Sequence, residues 1–210
     1  MKRAMVEKWR MPVISRGMES SKRGKKAGIV KSVGLLVLRL GVGGLIAGHG
    51  SQKLFGWFSG PGLKKTAGWL ESLGLKPGTS WATVASTSEF GGGILTTLGL
   101  FHPLGPLGVM GAMIMATAKA HWGKPIWATR GGAELPLTNM MAALTLILTG
   151  PGRFSLDRLF GIRLPRWLVI AIAAIEAVML VIGVKSRPKP VSVSTTDQSG
   201  KPTATPVATS

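Results

Sequence analysis

Six of the ionisable side chains within or next to the apolar stretches of this sequence are candidates for a site. They are Arg39, His49, Lys53, Glu89, His121 and Glu134. An ionisable group near the middle of a membrane costs at least about 2.5 kcal/mol, so it should be paired, face a cavity or take part in function. These residue types donate hydrogen bonds, accept them and transfer protons, and we take the six as the candidate site.

Helical spacing predicts which of these side chains face each other. On a helix that turns about 100° per residue, Arg39, His49 and Lys53 share one face of the first apolar stretch. Glu89 lies in a stripe of small and polar residues on the second stretch. Counting the helical rise from the ends of the two helices places Arg39 about 18 Å and Glu89 about 13 Å below the same surface. This count predicts an Arg39–Glu89 ion pair, either as a functional site or as structural support.

The remaining candidates are expected nearer that surface, where His49, Lys53, Lys119, His121 and Glu134 would form a polar mouth above the pair. Such a cluster could hold the head group of a quinone, since ring carbonyls need donors and their protonation needs an acid. It could equally be a network of loop contacts. Two histidines at the same level would also suit a haem, on weaker grounds, and no metal site is predicted.

The composition indicates why these charges matter. The 210 residues include 45% hydrophobic residues, 30 glycines and only 16% charged residues, and the charges fall in blocks between nearly charge-free stretches. Lys and Arg outnumber Asp and Glu by 26 to 8, but they lie at the ends of apolar runs, which favours a membrane over nucleic acid as the partner. Cysteine is absent, which excludes disulfides, thiolate metal sites and thiol redox chemistry.

The apolar stretches predict an all-α, polytopic membrane helix bundle. The predicted spans are 29–55, 81–101, 103–122, 135–149 and 168–184, and the last of these, with 17 residues, is at the lower limit for crossing a bilayer. The predicted organisation is a basic cytoplasmic arm (1–28), a four-helix core (29–160), an additional transmembrane helix (161–185) and a Pro/Ser/Thr-rich tail (186–210). The tail is expected to be disordered unless a partner holds it.

The positive charge also predicts the orientation. The arm is expected to stay in the cytoplasm and to contact anionic lipid, and the protein is expected in the plasma membrane with several passes. Five spans would place the C-terminus outside.

Several short motifs resemble those of the DoxX family of small membrane proteins. They are Arg39, the run His49-Gly50-Ser51-Gln52-Lys53-Leu54, the run Glu89-Phe90-Gly91-Gly92-Gly93 with Gly99, and the run from Gly150 to Asp157. The resemblance covers about residues 33–160. It implies a four-helix membrane bundle related to the small subunit of thiosulfate:quinone oxidoreductase, and it does not imply catalysis by the isolated chain.

The last of these motifs is expected to be structural. Gly150 and Gly152 end the fourth span, and Ser155 or Asp157 is predicted to cap a short helix. Asp157 is further predicted to pair with Arg153 or Arg158 and so to tie the loop to the bundle.

Two functions are consistent with the sequence. The first is a membrane subunit of a redox or electron-transfer system that lines a quinone or proton-handling site, with no covalently bound cofactor and with larger redox subunits as partners. The alternative is a non-catalytic accessory subunit that stabilises a larger membrane protein complex. Whether the chain is an enzyme stays open at this point.

Overall fold

The structure is a computed structural model that describes residues 24 and 26–187 and the backbone of two short strands. The strands, β1 (Thr195–Thr196) and β2 (Pro202–Thr203), pair antiparallel with Thr195 opposite Thr203. The predictions for the basic arm and for the remainder of the tail fall almost entirely on residues outside the described part of the chain.

Seven helices account for most of the described residues. They are α1 (Lys26–Phe55), α2 (Gly62–Ser72), α3 (Gly78–Leu98), α4 (Leu104–Ala116), α5 (Glu134–Thr149), α6 (Leu156–Phe160) and α7 (Arg166–Lys185). A π-helical turn, Arg39–Gly43, lies within α1, and a second one, Thr117–His121, extends α4. Short 3-10 turns follow at Trp57–Ser59 and Ala128–Arg130. Each of the five predicted spans lies mostly within one of the long helices.

Glycines set the distance and register between α1 and α3, which run antiparallel. A Cβ at Gly50 would lie 2.6 Å from the Cα of Phe90, and one at Gly93 would lie 2.8 Å from the Cα of Ala47. The two backbones can approach this closely because both glycines lack side chains. Residue 50 is therefore level with residue 90, and residue 47 with residue 93.

The helix α2 packs across the first turns of α3, beyond the end of α1. Ala67, Leu70, Leu75 and Ala82 form a buried apolar cluster at this contact. The Glu71 carboxylate accepts a hydrogen bond of 2.9 Å from the backbone N–H of Gly78, which is one of the free donors of the first turn of α3.

The other long helices pack through α4. Ile46, Val109, Met113 and Ala143 form the core shared by α1, α4 and α5. The helix α7 runs parallel to α4, because Glu176 contacts Gly111 and the later residue Gly183 contacts Met115.

Many large apolar side chains lie on the outside of the helix bundle, and several polar side chains lie inside it. Large apolar side chains are exposed along α1, α5 and α7, and Leu148 reaches 76% exposure. Buried positions include Ser32, Arg39, Ser86 and Glu89. Two helices, α1 with 30 residues and α7 with 20, are long and apolar enough to cross a membrane. Such a surface suits lipid rather than water. The predicted helical fold class is confirmed, and the two long apolar helices are consistent with a membrane protein.

Candidate functional site

The buried carboxylate of α3 pairs with a lysine of α1, so the predicted Arg39–Glu89 ion pair is wrong. Lys53 Nζ donates to Glu89 Oε1, and this is the one side-chain ion pair among the residues that the structure describes. The helix register explains the error, because Glu89 is level with residue 51 of α1. Residue 51 follows Arg39 by twelve positions, which is about 18 Å along the helix axis.

The Lys53–Glu89 pair is buried at one partner and open at the other. The side chain of Glu89 is 4% exposed and that of Lys53 is 29% exposed. The second carboxylate oxygen, Glu89 Oε2, is buried without a hydrogen-bond partner among the described residues. A buried carboxylate oxygen normally has a donor, so this oxygen has capacity for a further hydrogen bond.

The pair borders a cavity enclosed by α2, α3, α4 and α7. The cavity has about 700 Å³ of empty space, part of it open to the surroundings. Most of its lining is apolar, but four ionisable side chains reach it, namely Lys53, Glu89, Lys119 and Glu176. We call this space the charged cavity. Two lysines and two glutamates give it balanced formal charge.

The two carboxylates of the charged cavity lie at the same depth. Glu176 contacts Gly111, where an added Cβ would lie 2.8 Å from the carboxyl carbon. Since Gly92 contacts Gly108 across the α3–α4 interface, Glu89 is also level with Gly111. Lys119 lies eight positions further along α4, about 12 Å away along the axis, and its Nζ donates to the backbone carbonyl of Ser186. The two acids are thus level with each other along the helix axes, and the Lys119 backbone lies about 12 Å from that level.

Three of the six predicted site residues lie elsewhere at this end of the bundle. His49 is exposed on α1. His121 Nδ1 is 2.7 Å from the Gly131 carbonyl oxygen, and Glu134 Oε2 accepts a 2.8 Å hydrogen bond from the Ala128 N–H. His121 and Glu134 therefore hold the loop between α4 and α5, as the alternative of a loop network predicted.

The histidine positions also exclude the haem alternative. Through the helix registers, His49 is level with Val109 of α4. His121 follows Val109 by twelve positions, or about 18 Å along the axis, so the two cannot ligate one iron. Within the described part of the chain, no group of three or more His, Cys, Asp or Glu residues could hold a metal ion.

Arg39 belongs to a second buried polar centre, at the opposite end of α3. Its side chain is 2% exposed, and Nη2 donates to the Phe154 carbonyl. Gly99, which ends α3 with a φ of +63°, lies against the guanidinium. A side chain at Gly99 would overlap Arg39 and would also be strained by the positive φ.

The loop after α5 completes this centre. The Asp157 carboxylate accepts hydrogen bonds from the N–H groups of Phe101 (2.8 Å) and His102 (2.7 Å) rather than pairing with Arg153 or Arg158 as predicted. Ser155 is the residue that caps α6, since its Oγ accepts from the Arg158 N–H at 3.2 Å. We call the group of Arg39, Gly99, His102, Ser155 and Asp157 the closed centre.

The glycines of the last motif shape the loop that carries Asp157. Gly150 ends α5 with a φ of +82°, and Gly152 lies against Leu35 of α1.

Burial lowers the pKa of the His102 imidazole below its ordinary value of 6.5, and the nearby Asp157 carboxylate opposes this effect only in part. His102 is thus expected to be neutral at physiological pH.

Comparison with known families agrees with the motifs. Residues 34–122 match the model of the DoxX family. This region of the chain is similar to the DoxX family. No curated protein and no solved structure matches it.

The charged cavity and the closed centre each contain residues inside the DoxX match and residues beyond it. The match includes Arg39, Lys53, Glu89 and Lys119, whereas Asp157 and Glu176 lie beyond it. The sequence analysis expected Lys119 in the polar mouth but did not assign Glu176 to the site. Glu176 had a usable signal, because it is the single charge within the apolar stretch of α7.

Proposed function

We propose that this DoxX-like protein is a multi-pass protein of the plasma membrane, with a cytoplasmic N-terminus. In this proposal α1, α3, α4 and α5 form a four-helix core and α7 is a fifth crossing. The exposed apolar side chains of α1, α5 and α7 support the proposal, as does the antiparallel packing of α3 between α1 and α4. The bilayer would then surround the charged cavity at the level of Glu89.

We further propose that the charged cavity binds a lipid-soluble carrier with a polar ring, of which a quinone is the best fit. The observation that carries this proposal is a lysine–glutamate pair in a mostly apolar cavity, in which the glutamate is buried and one of its oxygens has no partner among the described residues. The ammonium groups of Lys53 and Lys119 supply donors for ring oxygens, and Glu89 and Glu176 supply groups that exchange protons. The apolar walls suit the ring and its tail.

The electrons for such a carrier would come from another protein. The chain has no cysteine, so it has no thiol for redox chemistry. The proposed role is therefore that of a membrane subunit in a redox system, which positions the carrier and exchanges protons with it.

The alternative function is an accessory subunit without a ligand. It is favoured by one observation: only 6% of the most apolar 18-residue segment of α7 is buried, which leaves a long face for another protein.

Quenching of tryptophan fluorescence tests the ligand, because Trp69 and Trp81 line the cavity. We expect a short-chain quinone to quench the full-length protein in nanodiscs with a saturable dependence, and Trp69→Phe with Trp81→Phe to remove most of that signal. Glu89→Gln should weaken binding at least tenfold, corresponding to about 1.4 kcal/mol.

Glu134→Gln is the matched control, since Glu134 contacts the α4–α5 loop rather than the cavity. It should bind quinone like the wild type. Quenching that does not saturate, or equal affinity in the Glu89 and Glu134 variants, would favour the accessory role instead.

A further inference from the structure

A second pocket opens at the end of the molecule that carries the closed centre. We call this the arginine end and define it as residues 99–103 and 150–166. The pocket has about 950 Å³ of empty space and is open to the surroundings. Its polar lining includes His102, Ser155, Asp157, Arg158 and Arg163.

The pocket has an excess of positive charge. Arg158 and Arg163 are exposed, and neither takes part in an ion pair within the described ranges. Asp157 is the only carboxylate in the lining, and its two oxygens already accept hydrogen bonds from Phe101 and His102. Two guanidinium groups thus remain available, and their planar donors match the oxygens of a phosphate.

Exposed apolar side chains also lie next to the pocket-lining residues in sequence. Leu159 and Phe160 on α6 are largely exposed, and Trp167 in the first turn of α7 is 69% exposed. Aromatic and apolar residues beside arginines are typical of segments that lie at the interface between lipid head groups and acyl chains. A soluble phosphate would contact the arginines alone, whereas a phospholipid would contact both surfaces.

Hydrogen bonds to Arg39 and Gly99 hold the loop that forms the pocket in place. Phe154 is bound through its carbonyl by Arg39, and Asp157 N donates to the Gly99 carbonyl oxygen at 3.1 Å. These contacts fix the backbone on both sides of Ser155. A ligand would therefore meet a formed pocket rather than ordering a free loop, which lowers the entropic cost of binding.

We propose that the arginine end binds an anionic phospholipid, with its phosphate between Arg158 and Arg163 and its acyl chains along the exposed apolar side chains of α6 and α7. This site is separate from the charged cavity, so the proposal does not depend on a quinone ligand.

Native mass spectrometry of the full chain tests the proposal, with phosphatidylglycerol and phosphatidylcholine as probes. We expect one phosphatidylglycerol to be retained at least tenfold better than phosphatidylcholine. The double variant Arg158→Gln with Arg163→Gln should lose that preference. The matched control, Lys124→Gln with Arg130→Gln, removes two exposed charges outside the pocket and should keep it.

Two further measurements distinguish a bound phospholipid from free phosphate and from general attraction to positive charge. The variant Leu159→Ser with Phe160→Ser should also weaken retention of phosphatidylglycerol, and millimolar inorganic phosphate should not displace the lipid. Displacement by phosphate, equal retention of both lipids, or an equal loss in the control variant would overturn the proposal. Thermal unfolding of each variant checks the fold, and Arg158→Lys with Arg163→Lys, which keeps the charge, should show partial retention.

Discussion

The charged cavity and the closed centre both contain a basic residue of α1, but the surroundings of the two residues differ. Lys53 reaches a carboxylate on a neighbouring helix and is partly exposed beside about 700 Å³ of empty space. Arg39 is almost fully buried and donates to the backbone of a loop. The helix α1 thus carries Lys53 beside an open space and Arg39 against a packed loop. Burial of a charge alone therefore does not identify a functional site.

The free hydrogen-bonding groups strengthen this contrast. Both oxygens of Asp157 accept hydrogen bonds from backbone N–H groups, whereas Glu89 Oε2 has no partner among the described residues. Nε and Nη1 of Arg39 also lack partners within that part of the chain, but the enclosed space beside them is only about 200 Å³. The free oxygen of Glu89 thus borders the larger of these two spaces.

Replacement of Arg39 is expected to have the largest effect on stability. Arg39→Met would remove the donor to Phe154 and leave the Asp157 charge without the nearby cation, at a cost of about 3–5 kcal/mol. Thermal unfolding in mild detergent measures the change, and the exposed residue Arg153, as Arg153→Gln, provides the control. If Arg39→Met kept its stability but lost quinone binding, the closed centre would itself be part of the functional site.

Sequence reasoning identified the helices and the buried charges but not their partners. Five apolar stretches were sufficient to predict five long helices. The helical period also correctly predicted that Arg39 and Glu89 face the interior. The partner of Glu89 depends on the register of α1 against α3, which the contacts of Gly50 and Gly93 set. Counting from helix ends assumed that the ends are level, whereas α3 begins beyond α1 because α2 packs on its first turns.

The parts of each site that come from distant segments were harder to predict. Glu176 reaches the charged cavity because α7 packs parallel to α4, an arrangement that no short motif encodes. Asp157 was correctly expected to hold its loop to the bundle, but it binds backbone N–H groups rather than an arginine side chain. Backbone donors have no signature in the sequence, since every non-proline residue carries one.

Replacements in the Lys53–Glu89 pair are expected to cost less stability than the loss of Arg39. Lys53→Met or Glu89→Gln should each cost about 1–3 kcal/mol, because the remaining partner can be solvated through the cavity. The double variant should cost less than the sum of the single variants, as measured by thermal unfolding, since neither residue is then left alone. A loss as large as that of Arg39→Met would mean that this pair, too, is mainly structural.

The smallest expected effect is a pH dependence of stability that arises from His102 in the closed centre. The pKa of His102 in the folded protein is below its ordinary value of 6.5, mainly because of burial, with Asp157 raising it and Arg39 lowering it further. The unfolded chain therefore binds the proton more readily. Neutral His102 therefore makes its full contribution to the free energy of unfolding above pH 6.5. This contribution declines as the pH falls through 6.5 toward the lower pKa of the folded state.

The variant His102→Gln isolates this effect from the other titrating groups. Between pH 7 and about pH 5, the unfolding temperature of the wild type should fall more than that of the variant, because only the wild type must protonate a half-buried imidazole. Quinone binding in the charged cavity should not follow the same difference. Equal pH profiles for the two proteins would contradict the lowered pKa of His102 and would mean that its imidazole does not contribute to the pH dependence of stability.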